Sequence, residues 1–360
     1  MKICAKILII AVIIMSASAL LIGCSMGGSA DVHVFYYTYS DPYISTVRSS
    51  LDSKLSSAGI SYQDHDGNNS QTTQTEQIQT AITKGAKLLV VNIVTTGSED
   101  AASGIINLAK GAGVPVIFFN REVSDSIVNS YDKCAFVGTD AKEAGYLQGD
   151  MIGDYLVENY QKTDLNGDGK ISYVMFMGEK GNNEAIYRTQ YSIENANKKL
   201  SAADLPKLSF YDSSNKDNYL LDKDGKWSAQ AANEYMTTLL SSYNTANGNM
   251  VELVICNNDG MAEGAISALN VAGFNTGKQD SITIPVFGVD ATSAARELIK
   301  NGKMTGTIRQ DAEGMAVVLE KSISNALSNK PLLEGIEGYT IDEKVSKLRI
   351  PYSVYLGENK

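Results

Sequence analysis

Short β-rich apolar runs alternate with amphipathic stretches along most of this chain, and the alternation limits its fold more than any other feature. The run VHVFYY, from Val32, is followed by Ile44, Val47, Leu51 and Leu55, whose spacing of three and four residues describes one face of a helix. Further run-and-helix pairs follow through KLLVVNIV, VPVIFFN and CAFVGTD. Strands that alternate with helices predict an α/β fold with doubly wound parallel sheets.

A polar loop interrupts the pattern after a helix predicted over residues 142–159, and the alternation restarts at ISYVMFM. A chain of more than 300 residues is too long for one ordinary core, so we expect two lobes. The remaining segments, a strand at TGTIRQD, a helix over 313–329 and a strand at KLRIPYSVYL, are too few for a third domain. We expect them to complete the two sheets.

The first 23 residues have the pattern of a bacterial lipoprotein signal. Lys2 and Lys6 precede an uncharged run from Ile7 to Ile22, and the run leads into LIGC. This pattern predicts cleavage before Cys24, lipidation of that cysteine, and a flexible tether over residues 24–30. The alternative is an uncleaved anchor, but the apolar run is short of the ~20 residues that a membrane span needs.

Charge and cysteine content argue against a nucleic-acid-binding protein and against a fold that depends on disulfide bonds. The formal charge of the whole chain is −10, and without the two lysines of the signal it is −12, which disfavours nucleic-acid binding. Beyond Cys24 only Cys134 and Cys256 remain, each within an apolar run. We interpret both as small core residues, with a disulfide between them as the alternative.

Polar side chains follow nearly every predicted strand. In open parallel sheets ligands bind beyond the carboxyl ends of the strands. Carboxylates, amides and a guanidinium at these ends suit a small ligand with many hydroxyls. The alternative is that such residues only form turns and helix caps. The residues at or just beyond the strand ends are Asp41, Tyr43, Asn120, Glu179, Arg188, Asn258, Asp259, Asp290, Gln310 and Asp311.

A sugar ring also presents an apolar C–H face, for which an aromatic platform is expected. Tyr43 and Trp227 are the candidates. Trp227 is the only tryptophan and is predicted to open the helix WSAQAANEYM. Its alternative role is that of an ordinary packing residue.

The loop over residues 164–172, DLNGDGKIS, has oxygen-bearing side chains at alternate positions and a glycine at the sixth. This is the arrangement of a calcium loop. The usual glutamate at position twelve is absent, because Met175 stands there within a predicted strand. The missing carboxylate must come from elsewhere, and the alternative is a solvated polar turn.

Over residues 31–357 the chain resembles the periplasmic glucose/galactose-binding proteins of sugar transport systems. The matching segments occur in the family's order: YTYSDPY, GVPVIFFNRE, SYDKCAFVGTD, DLNGDGKIS, GEKGNNEAIYRT, KWSAQAANEYM, VICNNDGMAEGA, IPVFGVDA and GTIRQDA. The resemblance implies a type I periplasmic-binding-protein fold with a three-segment hinge near Gly138, Asp311 and Arg349. The lobes would be 31–138 plus 312–348, and 139–311 plus 349–360.

The resemblance also implies the roles of individual residues. Tyr43 and Trp227 would sandwich the sugar ring, and the hydrogen-bonding positions would be Asp41, Asn120, Asn182, Glu184, Arg188, Asn258, Asp290 and Gln310. A structural calcium ion would be held by Asp164, Asn166, Asp168, the Lys170 carbonyl, Ser172 and Glu252.

Four of these positions depart from the family pattern. Asn182 stands for histidine, Glu184 for aspartate and Gln310 for asparagine, which changes the reach of each side chain. Ser172 replaces a glutamine, so its hydroxyl reaches the metal only through water. The departures leave the preferred sugar open.

We therefore expect a monomeric, lipid-anchored extracytoplasmic protein that captures glucose or galactose by hinge closure. By resemblance, an ATP-driven permease then receives the sugar. An alternative is a sensory receptor that signals to a membrane kinase or chemoreceptor. A glycosidase with Glu179 and Glu184 as its carboxylate pair is a rival from another class. A repressor core is a further rival, but it needs a DNA-binding head where this chain has a lipid signal.

Overall fold

The computed structural model describes residues 30–357, in two sheets that are each covered by helices on both faces. The lipoprotein signal, Cys24 and all of the tether except Ala30 lie outside the described residues. No helix within residues 30–357 is long and apolar enough to cross a membrane.

The first sheet has the strand order β12-β13-β5-β4-β3-β1-β2, and all neighbours are parallel except β12 and β13. Its strands are β1 (Val32–Tyr36), β2 (Tyr62–Asp66), β3 (Leu88–Val91), β4 (Val116–Phe119), β5 (Cys134–Gly138), β12 (Thr340–Ile341) and β13 (Lys347–Arg349). Its helices are α1 (Pro42–Ser57), α2 (Gln71–Thr83), α3 (Asp100–Ala112), α4 (Asp125–Asn129) and α10 (Ala312–Leu327).

The second sheet has the order β14-β11-β10-β9-β6-β7, with β8 also paired to β6, and only β14 runs antiparallel to its neighbour. Its strands are β6 (Ser172–Met177), β7 (Ser209–Phe210), β8 (Leu220–Leu221), β9 (Leu253–Cys256), β10 (Val286–Asp290), β11 (Gly306–Arg309) and β14 (Ser353–Tyr355). Its helices are α5 (Ala141–Thr163), α6 (Asn183–Ala202), α7 (Ala229–Ser242), α8 (Asp259–Val271) and α9 (Ser293–Lys300).

The chain passes three times from one sheet to the other. The crossings lie between β5 and α5, between β11 and α10, and between β13 and β14. Helix α10 packs against α1, where Met315 and Leu319 join the apolar cluster around Val47 and Leu51. A helix that follows a strand of the second sheet thus belongs to the core of the first.

The apolar side chains that recur periodically in the sequence are buried against the two sheets, and this burial holds each lobe together. Ile78, Ile105 and Phe118 lie in a second cluster on the first sheet, and the second sheet has one cluster on each face. At about 25 cal/mol per Å² of buried apolar surface, these clusters supply the main driving force for folding. Cys134 and Cys256 lie in different sheets, and both thiols are free and buried, as expected of core residues.

The α/β class and the two doubly wound sheets predicted from the sequence are confirmed. The segment KLRIPYSVYL, however, is not one strand. It forms β13 in the first sheet and β14 in the second, with Pro351, which has no backbone N–H to donate, between them. The sequence also failed to indicate the two-residue strands β8 and β12 and the short helix α4.

Candidate functional site

A cavity lies between the two sheets, where the carboxyl ends of their parallel strands face each other. All ten of the predicted ligand-binding residues line it: Asp41, Tyr43, Asn120, Asn182, Glu184, Arg188, Trp227, Asn258, Asp290 and Gln310. Tyr37, Ile44 and Arg121, which the sequence did not indicate as site residues, line it as well. Glu179 does not line the cavity but contacts residues that do. Asp259 lies buried beneath it, where its carboxylate accepts hydrogen bonds from Thr292 and Thr307.

The first lobe positions its polar residues through a helix cap and a tight turn. Asp41 caps α1, because its Oδ1 accepts the Ile44 N–H at 2.8 Å, and its Oδ2 accepts the Tyr37 hydroxyl at 2.7 Å. Asn120 follows β4 with a left-handed φ of 60°. Its Oδ1 accepts from the Asn92 amide at 3.1 Å. Both residues are thereby fixed before any ligand arrives.

The second lobe uses helix caps in the same way. Asn182 caps α6 by accepting the Ala185 N–H at 3.1 Å, which places Glu184 on the first turn and Arg188 one turn later. Asn258 caps α8 and donates to the Trp227 carbonyl at 3.2 Å. Asn182 and Asn258 thus cap helices and also line the cavity.

Arg188 is held in place by three hydrogen-bond partners. Its Nη1 donates to the Asn257 carbonyl at 2.8 Å, and its Nη2 donates to the Tyr352 hydroxyl at 2.9 Å and to Gln310 Oε1 at 3.3 Å. Tyr352 lies in the crossing between β13 and β14, and Thr139, in the crossing after β5, contacts its hydroxyl at 2.8 Å. Gln310 lies in the crossing between β11 and α10, so the guanidinium is linked to all three segments that join the lobes, directly through Gln310 and Tyr352 and, through Tyr352, to Thr139.

Several buried polar atoms of the cavity residues have no hydrogen-bond partner in the described part of the chain. Buried polar groups in folded proteins are nearly always paired. Unpaired donors and acceptors among the residues that line one cavity therefore suit a ligand that offers both, as a polyhydroxylated molecule does. The atoms are Glu184 Oε1 and Oε2, Arg188 Nε, Arg121 Nε, Gln310 Nε2 and the Tyr43 hydroxyl.

The carboxyl groups of the cavity are strongly desolvated. Burial raises the pKa of Glu184, against the opposing effect of Arg188, and burial raises the pKa of Asp290 well above its ordinary range. A ligand hydroxyl that donates to either carboxylate stabilises its charged form. The site is therefore suited to bind hydroxyl donors.

An aromatic side chain from each lobe faces the cavity. Tyr43 is 6% exposed and Trp227 is 8% exposed. Trp227 precedes α7 and has a left-handed φ of 56°. Ser228 is the cap and the helix begins at Ala229, so the prediction that Trp227 opens the helix is wrong by two residues. Its ring lies against Gly178, where a Cβ would meet ring carbon Cδ2 at 2.1 Å. The absence of a side chain at Gly178 thus leaves room for the indole.

The predicted calcium loop lies at the opposite end of β6 from the cavity. The strand begins at Ser172, beside the loop, and ends at Met177, beside Gly178. Glu252, just before β9, turns its carboxylate onto the loop, where Oε1 accepts the Leu165 N–H at 2.7 Å and Oε2 accepts the Ser172 N–H at 3.0 Å. The loop and Glu252 are therefore in direct contact although 80 residues separate Ser172 from Glu252.

The side-chain oxygens of the loop are turned toward its own backbone. Asp164 accepts from the N–H groups of Gly167 and Gly169, Asn166 from that of Asp168, and Asp168 from that of Lys170. The Ser172 hydroxyl donates to the Met250 carbonyl. Within residues 30–357 no three His, Cys, Asp or Glu side chains come together closely enough to hold a metal ion.

Two α/β lobes, three connecting segments and a buried cavity with unpaired polar atoms define a two-lobed solute-binding protein. The chain belongs to the family described as "Periplasmic binding protein domain", whose model matches residues 32–331. The expected family and fold are thus confirmed.

Among curated proteins, the chain is 34% identical over 322 residues to a D-galactose/methyl-galactoside binding periplasmic protein of Haemophilus influenzae, covering 89% of this chain and 88% of that protein. It is also 31% identical over 256 residues to a putative rhizopine-binding protein of Rhizobium meliloti, covering 71% of each. These relatives are binding proteins, which confirms the expectation that the chain is not an enzyme.

Among solved structures, a solute-binding protein of an ABC transporter from Bacillus halodurans with bound myo-inositol matches with a TM-score of 0.65 and 25% identity, covering 91% of this chain and 95% of that one. A solute-binding protein from Clostridium phytofermentans with bound β-D-glucose has a TM-score of 0.68 at 22% identity, covering 90% and 93%. The second match concerns the fold alone.

Proposed function

We propose that this protein captures glucose or galactose in the cavity between its lobes and delivers it to an ABC-type permease. The observation that carries the proposal is that unpaired donors and acceptors and two aromatic side chains belong to residues that line the same cavity. A hexopyranose offers hydroxyl groups to the polar atoms and C–H faces to the rings. The galactose-binding relative of Haemophilus influenzae supports the same ligand class.

Capture proceeds by closure of the lobes. We take residues 31–138 plus 312–348 as one moving body and 139–311 plus 349–360 as the other. The sugar contacts both lobes fully only when they are closed, so its differential affinity favours the closed state. Titration calorimetry with hexoses and pentoses tests this function.

We also propose an extracytoplasmic location with a lipid anchor on Cys24, and a monomeric state. The LIGC segment supports the anchor, and the periplasmic relatives support the location. A permease that recognises the closed form is the partner this function requires.

We also propose that the loop over residues 164–172 binds a calcium ion in a structural role. Asp164, Asn166 and Asp168 are at alternate positions, Gly169 at the sixth position makes the sharp turn with a φ of 78°, and Glu252 lies against the loop backbone. With the Lys170 carbonyl, these oxygens would supply a donor set of the type that calcium prefers once they turn from the loop N–H groups to the ion. The Ser172 hydroxyl, engaged by Met250, would contribute through water. The ion would fasten the loop to the start of β9.

Removal of calcium should lower the melting temperature of the protein, because the ion binds only the folded state. Sugar affinity of the still-folded protein should stay nearly unchanged, since the loop and the cavity lie at opposite ends of β6. Glu252→Gln should have the same effect as chelation, and chelation should then add little. Differential scanning calorimetry with and without a chelator measures both effects. A melting temperature indifferent to calcium and to Glu252→Gln would reduce the loop to a polar turn.

A further inference from the structure

Four exposed lysines lie at the edge of the first sheet where its parallel strands begin. Lys84 caps the carboxyl end of α2, and Lys87 directly precedes β3. Lys110 lies in the last turn of α3, and Lys133 directly precedes β5. All four residues are exposed, and we refer to them as the lysine edge. This edge is the end of the first lobe opposite the cavity, which lies beyond the carboxyl ends of the same strands.

Hydrogen bonds connect the lysine edge across neighbouring strands. The Lys87 N–H donates to the Asp31 carbonyl at 2.8 Å, and Lys87 Nζ pairs with Asp31 Oδ1 at 2.9 Å. Lys110 Nζ donates to the Ser130 carbonyl at 3.3 Å. Lys133 Nζ donates at 3.3 Å to a carbonyl in the connection between α3 and β4. The four ammonium groups therefore belong to connections that are neighbours in the fold.

The lysine edge differs in charge from the protein as a whole. Without the signal, the formal charge of the chain is −12. In the connections that lead into β1 to β5, the acidic residues are Asp31, which is already paired, and Asp132. The edge ends toward β13, where Glu334 and Glu343 line one groove with Lys344. A cationic surface thus lies on an acidic protein.

Helix dipoles explain only two of the four lysines. Lys84 and Lys110 lie at the carboxyl ends of α2 and α3, where a positive charge is stabilising. Lys87 and Lys133 lie in the connections beyond helix ends, where the dipole has little effect. An anionic partner accounts for all four, because a local field of one sign attracts the opposite charge.

The proposed lipid anchor brings this edge close to a membrane. Ala30, the first described residue, lies just before β1 and therefore at the same edge as the four lysines. Residues 24–29 separate it from the membrane, and six residues span at most about 20 Å even when fully extended. The amino end of β1 must then stay within about 20 Å of the surface that holds Cys24.

We propose that the lysine edge docks on the anionic lipid headgroups of the membrane that holds the anchor. The inference rests on the proposed anchor at Cys24. Each lysine near an anionic membrane strengthens the attraction by about fivefold, whereas the acidic remainder of the surface is repelled. The first lobe therefore stands with its lysine edge on the membrane. The second lobe lies on the far side and stays free to move during sugar capture.

Vesicles that carry the mature protein test the docking. The chain is coupled through the Cys24 thiol to a maleimide lipid, which supplies the tether whether or not a cell lipidates the protein. Cys134 and Cys256 are buried and do not compete. The vesicles consist of phosphatidylcholine, alone or mixed with phosphatidylglycerol. Acetylation by a neutral reagent, followed by peptide mass spectrometry, measures the reaction rate of every lysine.

The four lysines should react about threefold or more slowly on the anionic vesicles than on the neutral ones. The difference should vanish at 1 M salt, where the Debye length is about 3 Å. Lys216 and Lys226 are exposed in the second lobe and serve as internal controls. Their rates should be equal on both kinds of vesicle.

A variant that combines Lys87→Gln with Lys133→Gln removes two charges and leaves Lys84 and Lys110 as reporters. Both substitutions are on the surface, so the fold should remain intact. The protection of the two reporters should fall by about half or more. The matched control combines Lys207→Gln with Lys216→Gln in the second lobe and should keep the protection of wild type.

Equal rates of the four lysines on neutral and anionic vesicles would overturn the inference. Wild-type protection of Lys84 and Lys110 in the double variant would overturn it as well. The proposed anchor has a separate test, the intact mass of the protein extracted from membranes. An unmodified Cys24 in that mass would refute the anchor, whereas the vesicle result refutes or supports the docking surface.

Discussion

Replacement of Arg188 by lysine is expected to weaken sugar binding by about ten- to hundred-fold, the equivalent of about 1.5–3 kcal/mol for charged hydrogen bonds. Lysine keeps the positive charge opposite Glu184 and Asp290 but loses the planar fork. It cannot bond the Asn257 carbonyl, the Tyr352 hydroxyl and a sugar oxygen with the same geometry. Titration calorimetry measures the change in affinity.

The same experiment separates binding from folding. The Arg188→Lys melting curve should show a folded protein, because the apolar clusters of both lobes remain intact. Arg48→Lys serves as the control, since Arg48 lies outside the cavity. Wild-type affinity in Arg188→Lys would show that this guanidinium does not hold the ligand.

Replacement of Trp227 by alanine should weaken binding by about 1–3 kcal/mol, through loss of stacking and of buried aromatic area. Trp227 is the only tryptophan, so sugar should change the tryptophan fluorescence of wild type, and the variant should lose that signal. A fluorescence titration gives the wild-type affinity, and calorimetry gives that of the variant.

Tyr146→Ala is the matched control for this prediction, because Tyr146 is 37% exposed and does not line the cavity. It should keep both the fluorescence change and the affinity. Unchanged sugar affinity in Trp227→Ala would contradict the stacking role.

The sheets and most helices were predictable because their signals are local. A spacing of two residues between apolar side chains follows from strand geometry, and a spacing of three and four residues follows from helix geometry. The polar residues after each strand were found for a related reason, since parallel strands place their carboxyl ends along one edge. Asp41 and Asn258 lie in the segments between a strand and the next helix and also cap those helices, so two local rules pointed to the same positions.

The features that the sequence did not indicate depend on distant contacts or on backbone turns. Arg121 was missed because the left-handed turn at Asn120 carries the chain one residue further along the cavity wall. Tyr352 was missed because 164 residues separate it from Arg188, and only the folded crossings bring them together. The split of β13 from β14 likewise depends on which sheet each piece joins.

The orientations of side chains were also beyond the sequence. The pattern of the 164–172 loop indicates which residues carry oxygens, but not that Glu252 reaches its backbone or that Ser172 bonds the Met250 carbonyl. The resemblance placed Asn182 on a sugar-binding position. Its amide hydrogen bonds to Thr96 and the α6 cap arise from the arrangement of the two lobes.

Calorimetric titration of the mature protein with a panel of hexoses and pentoses tests the central claim most directly. We expect galactose or glucose to bind one-to-one with a dissociation constant of about micromolar or lower, near 8 kcal/mol of binding free energy. Pentoses should bind more weakly, because they lack the sixth carbon and its hydroxyl and leave polar atoms of the cavity unpaired. The account is contradicted if neither hexose releases or absorbs heat at millimolar concentration and neither raises the melting temperature.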